Sequence, residues 1–264
     1  MDQYSHDTLK NPPSYLIKAD GAQIAYHKIP GKSPGIVFFG GLASDMTGTK
    51  ALELQKFALE RGQEFLRFDY QGHGASSGDL ANGTIGLWLS DCLAILDAKT
   101  EGRQILVGSS MGGWLMLLTS IRRSQLVAGL VGIASAPDFT EDLMWARFDQ
   151  GARNKLLKEG FYLEPSAYSD EPYKITLQLI EDGRNHLVLR DQLRIDAPVR
   201  LLHGMADPDV PYQVSINLAE NIASPDLEIT LIKNGDHRLS ANRDLNILKS
   251  TIEDVLLFNE NMDL

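Results

Sequence analysis

QILVGSSMGGWLML, residues 104–117, decides how this chain is read. An apolar run ends at Val107, a knot of glycines and two serines follows, and a second apolar run begins at Trp114. The first run has the composition of a buried strand and the second the length of a helix. Gly108-Ser109-Ser110-Met111-Gly112 fits G-x-S-x-G with Ser110 at its centre, and a strand before and a helix after are the context that pattern requires. A sharp strand-to-helix turn forces its central residue into a strained backbone, and a Cβ at a flanking glycine would collide with neighbouring chain. The turn lifts the Ser110 hydroxyl to the end of the strand, where free N–H groups and the dipole of the next helix favour a developing negative charge. Ser110 is therefore read as a nucleophile and Ser109 as the variable residue beside it. The bland alternative is a glycine-rich turn without chemistry, so the other parts must be found.

Outward from that knot, strand-like and helix-like segments alternate. SYLIKA and QIAYHKI are short early strands, and GIVFFGG (35–41) and EFLRFDY (64–70) are buried ones. Residues 49–61 have helical spacing and stop at Gly62; helical spacing returns at 84–98, 112–123 and 243–258. VAGLVGI lies within a strand at 126–134, and VRLLHG (199–204) and LEITLIK (227–233) are strands with a helix between them. Each parallel crossover needs a helix, so this alternation predicts an α/β fold: one mostly parallel sheet covered on both faces. Residues 138–195 break the rhythm with Trp145, Phe148, Phe161, Tyr162, Tyr168 and Tyr173 but no convincing strand, and are read as a small helical cap inserted into a single domain spanning 1–264.

A serine hydroxyl is a weak nucleophile and needs a base. The chain order serine, acid, histidine belongs to a nucleophile presented in this way. Of six histidines, His6, His27 and His73 precede Ser110, His186 lies in the cap, and His203 sits inside a strand, where a structural role fits better. His237, in KNGDHRLS after a core strand, is the candidate base. The acid should follow VRLLHG, which MADPDVP does; Asp207 is nearest the strand end, with Asp209 and Asp138 as alternatives, and Asp236 reads as a turn residue. The acid holds the imidazole in one tautomer. Backbone donors for an oxyanion are expected from Met111 and, after GIVFFGG, from Leu42.

Composition narrows the partners. A formal charge of −10 argues against nucleic acid or an anionic membrane surface. The single cysteine, Cys92, can form no internal disulfide, offers no metal-binding spacing and falls in an apolar helical pattern. No stretch approaches the roughly eighteen apolar residues of a membrane span, and MDQYSHDTLKNPP has neither secretory nor mitochondrial character, so a cytoplasmic chain is expected. Nothing in the sequence sets an oligomeric state. GKS (31–33) has Tyr26 where a phosphate loop needs its first glycine, and GHGASSG (72–78) misses G-x-G-x-x-G, so no cofactor or metal is expected.

The stretches GKSPG (31–35), GTKA (48–51), RFDY (67–70), QILVGSS (104–110), GGWLML (112–117), RLLHGM (200–205) and DHR (236–238) together resemble the α/β-hydrolase superfamily. More narrowly, they resemble its abhydrolase subgroup of acyl-protein depalmitoylases and acyl-glucuronide esterases. The resemblance implies Ser110, Asp207 and His237 as triad and thioesterase or esterase chemistry on an acylated protein or small molecule. Trp145, Phe148, Phe161 and Tyr162 would then wall an apolar acyl pocket. This sequence departs from many superfamily members in carrying Gly-Gly-Leu at 40–42 in place of His-Gly-aromatic, and its cap matches less well. A small-molecule carboxylesterase and a non-catalytic binding module on the same scaffold are the competing readings.

Overall fold

The computed structural model describes residues 11–164 and 172–262. In chain order β1 (Ser14–Ile17), β2 (Gln23–Ile29) and β3 (Lys32–Phe39) lead into α1 (Thr49–Arg61); β4 (Gln63–Phe68) is followed by α2 (Ile85–Lys99), and β5 (Gln104–Ser109) by α3 (Met111–Arg122) and β6 (Val127–Ile133). An excursion then carries a short wide helical turn (Thr140–Trp145), α4 (Gln150–Glu159), β7 (Phe161–Glu164), β8 (Tyr173–Thr176) and α5 (Leu177–Gly183). The chain returns through β9 (Val199–Gly204), α6 (Gln213–Asn221), β10 (Leu227–Ile232) and α7 (Asn242–Met262). Eight strands form one sheet in the order β1-β2-β4-β3-β5-β6-β9-β10. β2 runs antiparallel to both its neighbours, and the pairs from β4–β3 through β9–β10 are parallel.

Alternation along the strands splits the core in two. Val37, Leu66, Leu106, Leu130 and Leu201 face α2, α3 and α6, burying Trp88, Cys92, Trp114, Leu115 and Leu218. Their neighbours Ile36, Phe65, Ile105, Val131 and Leu202 face α1 and α7, against Leu54, Ala58, Ile252 and Val255. Two-sided burial is why β5 and β6 read as continuous apolar runs. α1 ends as its sequence predicts, on Gly62 in the left-handed region (φ 71°), whose N–H caps the carbonyls of Ala58 and Leu59. The strand ends Ser109, Gly204 and Ile232 all lie at the same edge of the sheet, because the strands that carry them are parallel.

The expectation for 138–195 needs correcting. The excursion is not purely helical: β7 and β8 form an antiparallel hairpin. Tyr162 and Ile175 pair across it and turn inward onto Phe148, while Phe161, Leu163 and Lys174 lie on the other face. Two strands of four residues give too few repeats for a two-residue period to stand out from helical patterning. Tyr168 lies outside the described residues. The excursion is tied at its base by Asp138, whose buried carboxylate accepts the N–H of Val188 (2.8 Å) and Leu189 (2.9 Å) and pairs with Arg190. Burial pushes that carboxyl above its usual range, opposed by these same N–H donors and by Arg190.

Candidate active site

At the sheet edge the chain leaves β5 through Ser110, which adopts φ 56°, ψ −122°, a region that costs an L-residue strain. The surroundings hold it there: Ser110 N–H donates to the Ile133 carbonyl (2.9 Å), and its own carbonyl accepts from Gly113 (2.9 Å) and Ala136 (3.1 Å). Gly112 is obligatory for space, since a Cβ there would sit 2.2 Å from the Phe39 carbonyl oxygen and 2.5 Å from that of Gly40. The helix behind the turn, α3, is buried along Met111–Ser120, so the elbow rests on solid core.

His237 and Asp207 arrive from neighbouring strand ends. His237 Nε2 lies 3.0 Å from Ser110 Oγ, and its Nδ1 lies 2.7 Å from Asp207 Oδ2. Asp207 Oδ1 accepts the N–H of Asp209 and of Val210, both at 2.9 Å. Asp236 is the turn residue expected, accepting the Leu239 N–H at 2.9 Å. On the other side of His237, Lys50 Nζ donates to the Arg238 carbonyl. Burial pushes that lysine down to about 8, aided by Arg238 and resisted by Asp236.

The place of His203 inside a strand predicts a structural histidine. It is one: it is fully buried, with Nδ1 at 2.7 Å from Ser215 Oγ and Nε2 at 2.9 Å from the Val210 carbonyl oxygen. The same Nε2 also reaches Asp207 Oδ2 at 3.3 Å, which the strand reading missed. The available signal was H-x-x-x-D across a strand end, where a turn brings residues four apart together. Burial alone would raise the Asp207 carboxyl, but the hydrogen bonds from His203, His237 and Val210 outweigh it, and the acid is held well below the usual carboxylate range.

The loop after β3 passes directly over the nucleophile: a Cβ on Gly41 would lie 3.4 Å from Ser110 Cβ. Among the described residues no acceptor takes the Leu42 N–H. Met111 is the first residue of α3, so its N–H has no partner within its own helix. Among the described residues neither sequence-selected donor has an acceptor within the protein.

The four cap aromatics sit differently. Phe148 and Tyr162 stack edge-on at 5.4 Å inside the excursion's own small core, and the guanidinium groups of Arg153 and Arg184 lie over the Trp145 ring, 5.2 and 4.9 Å from its centre. Lys174 covers Phe161 at 4.8 Å. Beside Leu42 a narrow crevice opens, lined by Leu80, Trp88, Ile175 and Leu179, where the hairpin meets the sheet domain. Asp207, Asp209 and His237 bring ligand atoms within 4.8 Å of one another. An ion there would have to displace the proton that His237 Nδ1 shares with Asp207, so the donor set is better matched to that hydrogen bond than to a metal.

An elbow serine at the end of a central strand, with histidine and aspartate on two later strand ends, defines a hydrolase of the α/β class. The family model described as "Alpha/beta hydrolase family" matches residues 36–245, and the chain belongs to that family. It is 41% identical over 251 residues to bovine (Bos taurus) palmitoyl-protein thioesterase ABHD10, mitochondrial, covering 94% of this chain and 81% of the relative. The solved structure of mouse alpha/beta hydrolase domain-containing protein 10 superposes with a TM-score of 0.87 at 40% identity, over 93% of this chain and 98% of that one. A hydrolase from Agrobacterium vitis S4 superposes with a TM-score of 0.88 at 40% identity, over 93% and 99%.

Proposed function

We propose that this chain is a serine hydrolase that cleaves carboxylic thioesters and esters through an acyl-enzyme on Ser110. The observation that carries the reading is the continuous hydrogen-bonded run Asp207–His237–Ser110, at 2.7 and 3.0 Å, ending on a strained elbow. Asp207, ionised, keeps the ring proton on Nδ1 and leaves Nε2 free to accept. As Ser110 Oγ attacks the acyl carbon, its proton passes to His237 Nε2, and the carbonyl oxygen becomes an oxyanion received by the Leu42 and Met111 N–H groups. The tetrahedral species collapses when the C–S or C–O bond breaks and His237 returns the proton to the departing thiol or alcohol. Water then repeats the sequence on the acyl-enzyme, with His237 again as base.

The acyl chain, in this reading, enters the crevice between Leu42, Leu80, Trp88, Ile175 and Leu179. The excursion acts as a cap, and Trp145, Phe148, Phe161 and Tyr162 shape the pocket by fixing the hairpin that forms its wall. The names of the relatives favour an acylated protein as substrate; the crevice as it stands holds little more than one water, so a medium-to-long acyl group enters it only as the hairpin moves away from Leu80 and Trp88. An acylated small molecule uses the same groups. A phosphonylating active-site probe should label the wild-type chain and not Ser110→Ala; labelling of the variant overturns the assignment. A C2 to C16 acyl series should favour the longer thioesters, and a steady fall from C2 upward would replace the depalmitoylase-like reading by a short-chain carboxylesterase. No helix among the described residues is long and apolar enough to cross a membrane. The free, buried Cys92 fits a reducing compartment, and for location we propose the cytoplasm; fractionation of cells expressing the tagged chain separates this from the mitochondrial location in the bovine relative's name.

A further inference from the structure

The loop after β4, QGHGASSG (71–78), supplies no reacting group, yet it and the two residues before it grip the backbone that carries Leu42. Tyr70 Oη donates to the Gly40 carbonyl at 3.0 Å. His73 Nε2 accepts the Ala43 N–H at 3.1 Å. Asp69 accepts the N–H of Met46 at 2.6 Å and that of Ala75 at 2.8 Å, tying the two loops together. Between the Tyr70 and His73 contacts lies the peptide that presents the Leu42 N–H, and its Gly41 carbonyl is engaged by Ser44 N–H at 3.2 Å.

Ala43 has φ 54°, a left-handed conformation that a non-glycine residue keeps only when its surroundings impose it. The bond from its N–H to an imidazole is the imposing contact. An N–H can donate only to an unprotonated ring nitrogen, so the His73 proton belongs on Nδ1, which faces the Gln71 carbonyl at 3.3 Å. The ring is buried and stands edge-on to Tyr70 (5.4 Å) and Trp88 (5.2 Å), so it cannot swing away. Burial holds the imidazole below its ordinary value, outweighing the Gln71 carbonyl and the charge of Asp91, which keeps the acceptor form in place.

We propose that His73 and Tyr70 are positioning residues of the oxyanion hole: they touch no substrate, but hold the peptides on either side of Leu42 so that its N–H points at the developing oxyanion. The inference rests on the reading of Leu42 as a donor. A donor aimed at the oxyanion strengthens the transition state more than the bound substrate, so loosening it should lower kcat and spare KM.

His73→Phe keeps the ring and its edge contacts and removes the acceptor; His73→Gln offers an amide oxygen in its place. With a short thioester, His73→Phe should lose roughly tenfold to a hundredfold in kcat, less than outright removal of a donor, with KM within about twofold. His73→Gln should recover most of that loss. Affinity for a trifluoromethyl ketone, whose adduct with Ser110 carries an oxyanion, should fall in step with kcat, while affinity for the product acid stays level. Should His73→Phe fail to fold, Tyr70→Phe deletes only the hydroxyl on Gly40 and reads the same grip: kcat falls several-fold with KM kept. Wild-type kcat in the folded variants, or equal losses in kcat and in product-acid affinity, overturns the proposal. Probe labelling of Ser110 separates the two failures: a labelled, Ser110-dependent enzyme with unaffected variants refutes this inference alone, whereas an active Ser110→Ala refutes the acyl-enzyme on Ser110.

Discussion

The sheet edge around Ser110 and the excursion above it are held by different means. At the edge, the groups of the site hang from backbone: Asp207 on two N–H groups, and the Ser110 N–H on the Ile133 carbonyl, while Asp236 fixes the turn after His237 through the Leu239 N–H. In the excursion, beyond the hairpin ladder and the Asp138 anchor, the aromatic residues are held by side chains alone, as in the Phe148–Tyr162 pair and the Trp145 ring with its two arginines. The excursion meets the rest through apolar packing, with Phe139, Leu179 and Val188 buried in the same core as Trp88 and Trp114, and through bonds such as Trp114 Nε1 to the His186 carbonyl and Gly86 N–H to Asp182. Backbone-anchored groups keep their geometry when neighbours change; packed side chains can repack at modest cost. The difference separates chemistry, fixed at the edge, from selectivity, adjustable above it.

The strongest way to break that comparison is at the edge. Ser110→Ala should reduce turnover by about 10⁴-fold or more, and His237→Ala nearly as much, because groups acting as a unit are not additive. Single-turnover assays with a p-nitrophenyl ester check both. Asp207→Asn should cost roughly 10³–10⁴ in kcat by reversing the tautomer of His237, whereas Asp209→Asn should stay within about tenfold. The opposite ranking would move the acid.

The pH profile sharpens the same point. Asp207, held below the usual carboxylate range, stays ionised as pH falls, so the acid limb of kcat/KM belongs to the imidazole that must be neutral to accept a proton. The rate should therefore rise with pH along one ionisation; a profile flat down to about pH 4, far below an ordinary imidazole at ~6.5, would remove histidine as the base. The sign for stability is separate. A carboxyl lower in the folded than in the unfolded chain stabilises fully above the unfolded value of about 4, and that contribution fades as pH falls below it.

Much of the edge was legible because its signals are local or ordered. A strand, a glycine knot and a helix are contiguous at 104–122, and Asp207 and His237 each follow a strand that its own composition marks. His73 was set aside by chain order, a criterion suited to a base and blind to an acceptor for a loop N–H. The contact of His203 with Asp207 depends on a turn outside the strand pattern. The β7–β8 hairpin was missed because four-residue strands carry almost no periodicity, and its packing partner Phe148 lies outside both strands.

The smallest expected effect tests the upper region. Phe148→Ala opens a hole in the excursion's core, a change that costs about 3–5 kcal/mol in a rigid core and less where neighbours can collapse. Hydrolysis of an acetyl ester should stay within about threefold of wild type, while kcat/KM for a C16 thioester should fall about tenfold, near the effect of losing two buried methylenes. Equal losses on both substrates would erase the division between the two regions.

The Asp138 carboxylate gives that division a topological meaning. It joins positions 50 residues apart along the chain, so the excursion begins and ends at one point, like a loop of string pinched at its neck. For the polypeptide beneath, what happens beyond the neck is an interruption of fixed span. Closure entropy grows only with the logarithm of loop length, so a longer or shorter excursion changes folding by little once the neck is formed. The sheet and its edge can thus stay constant while whole segments above are exchanged, and replacing Asp138 would unfasten that interchangeability before it disturbed the serine.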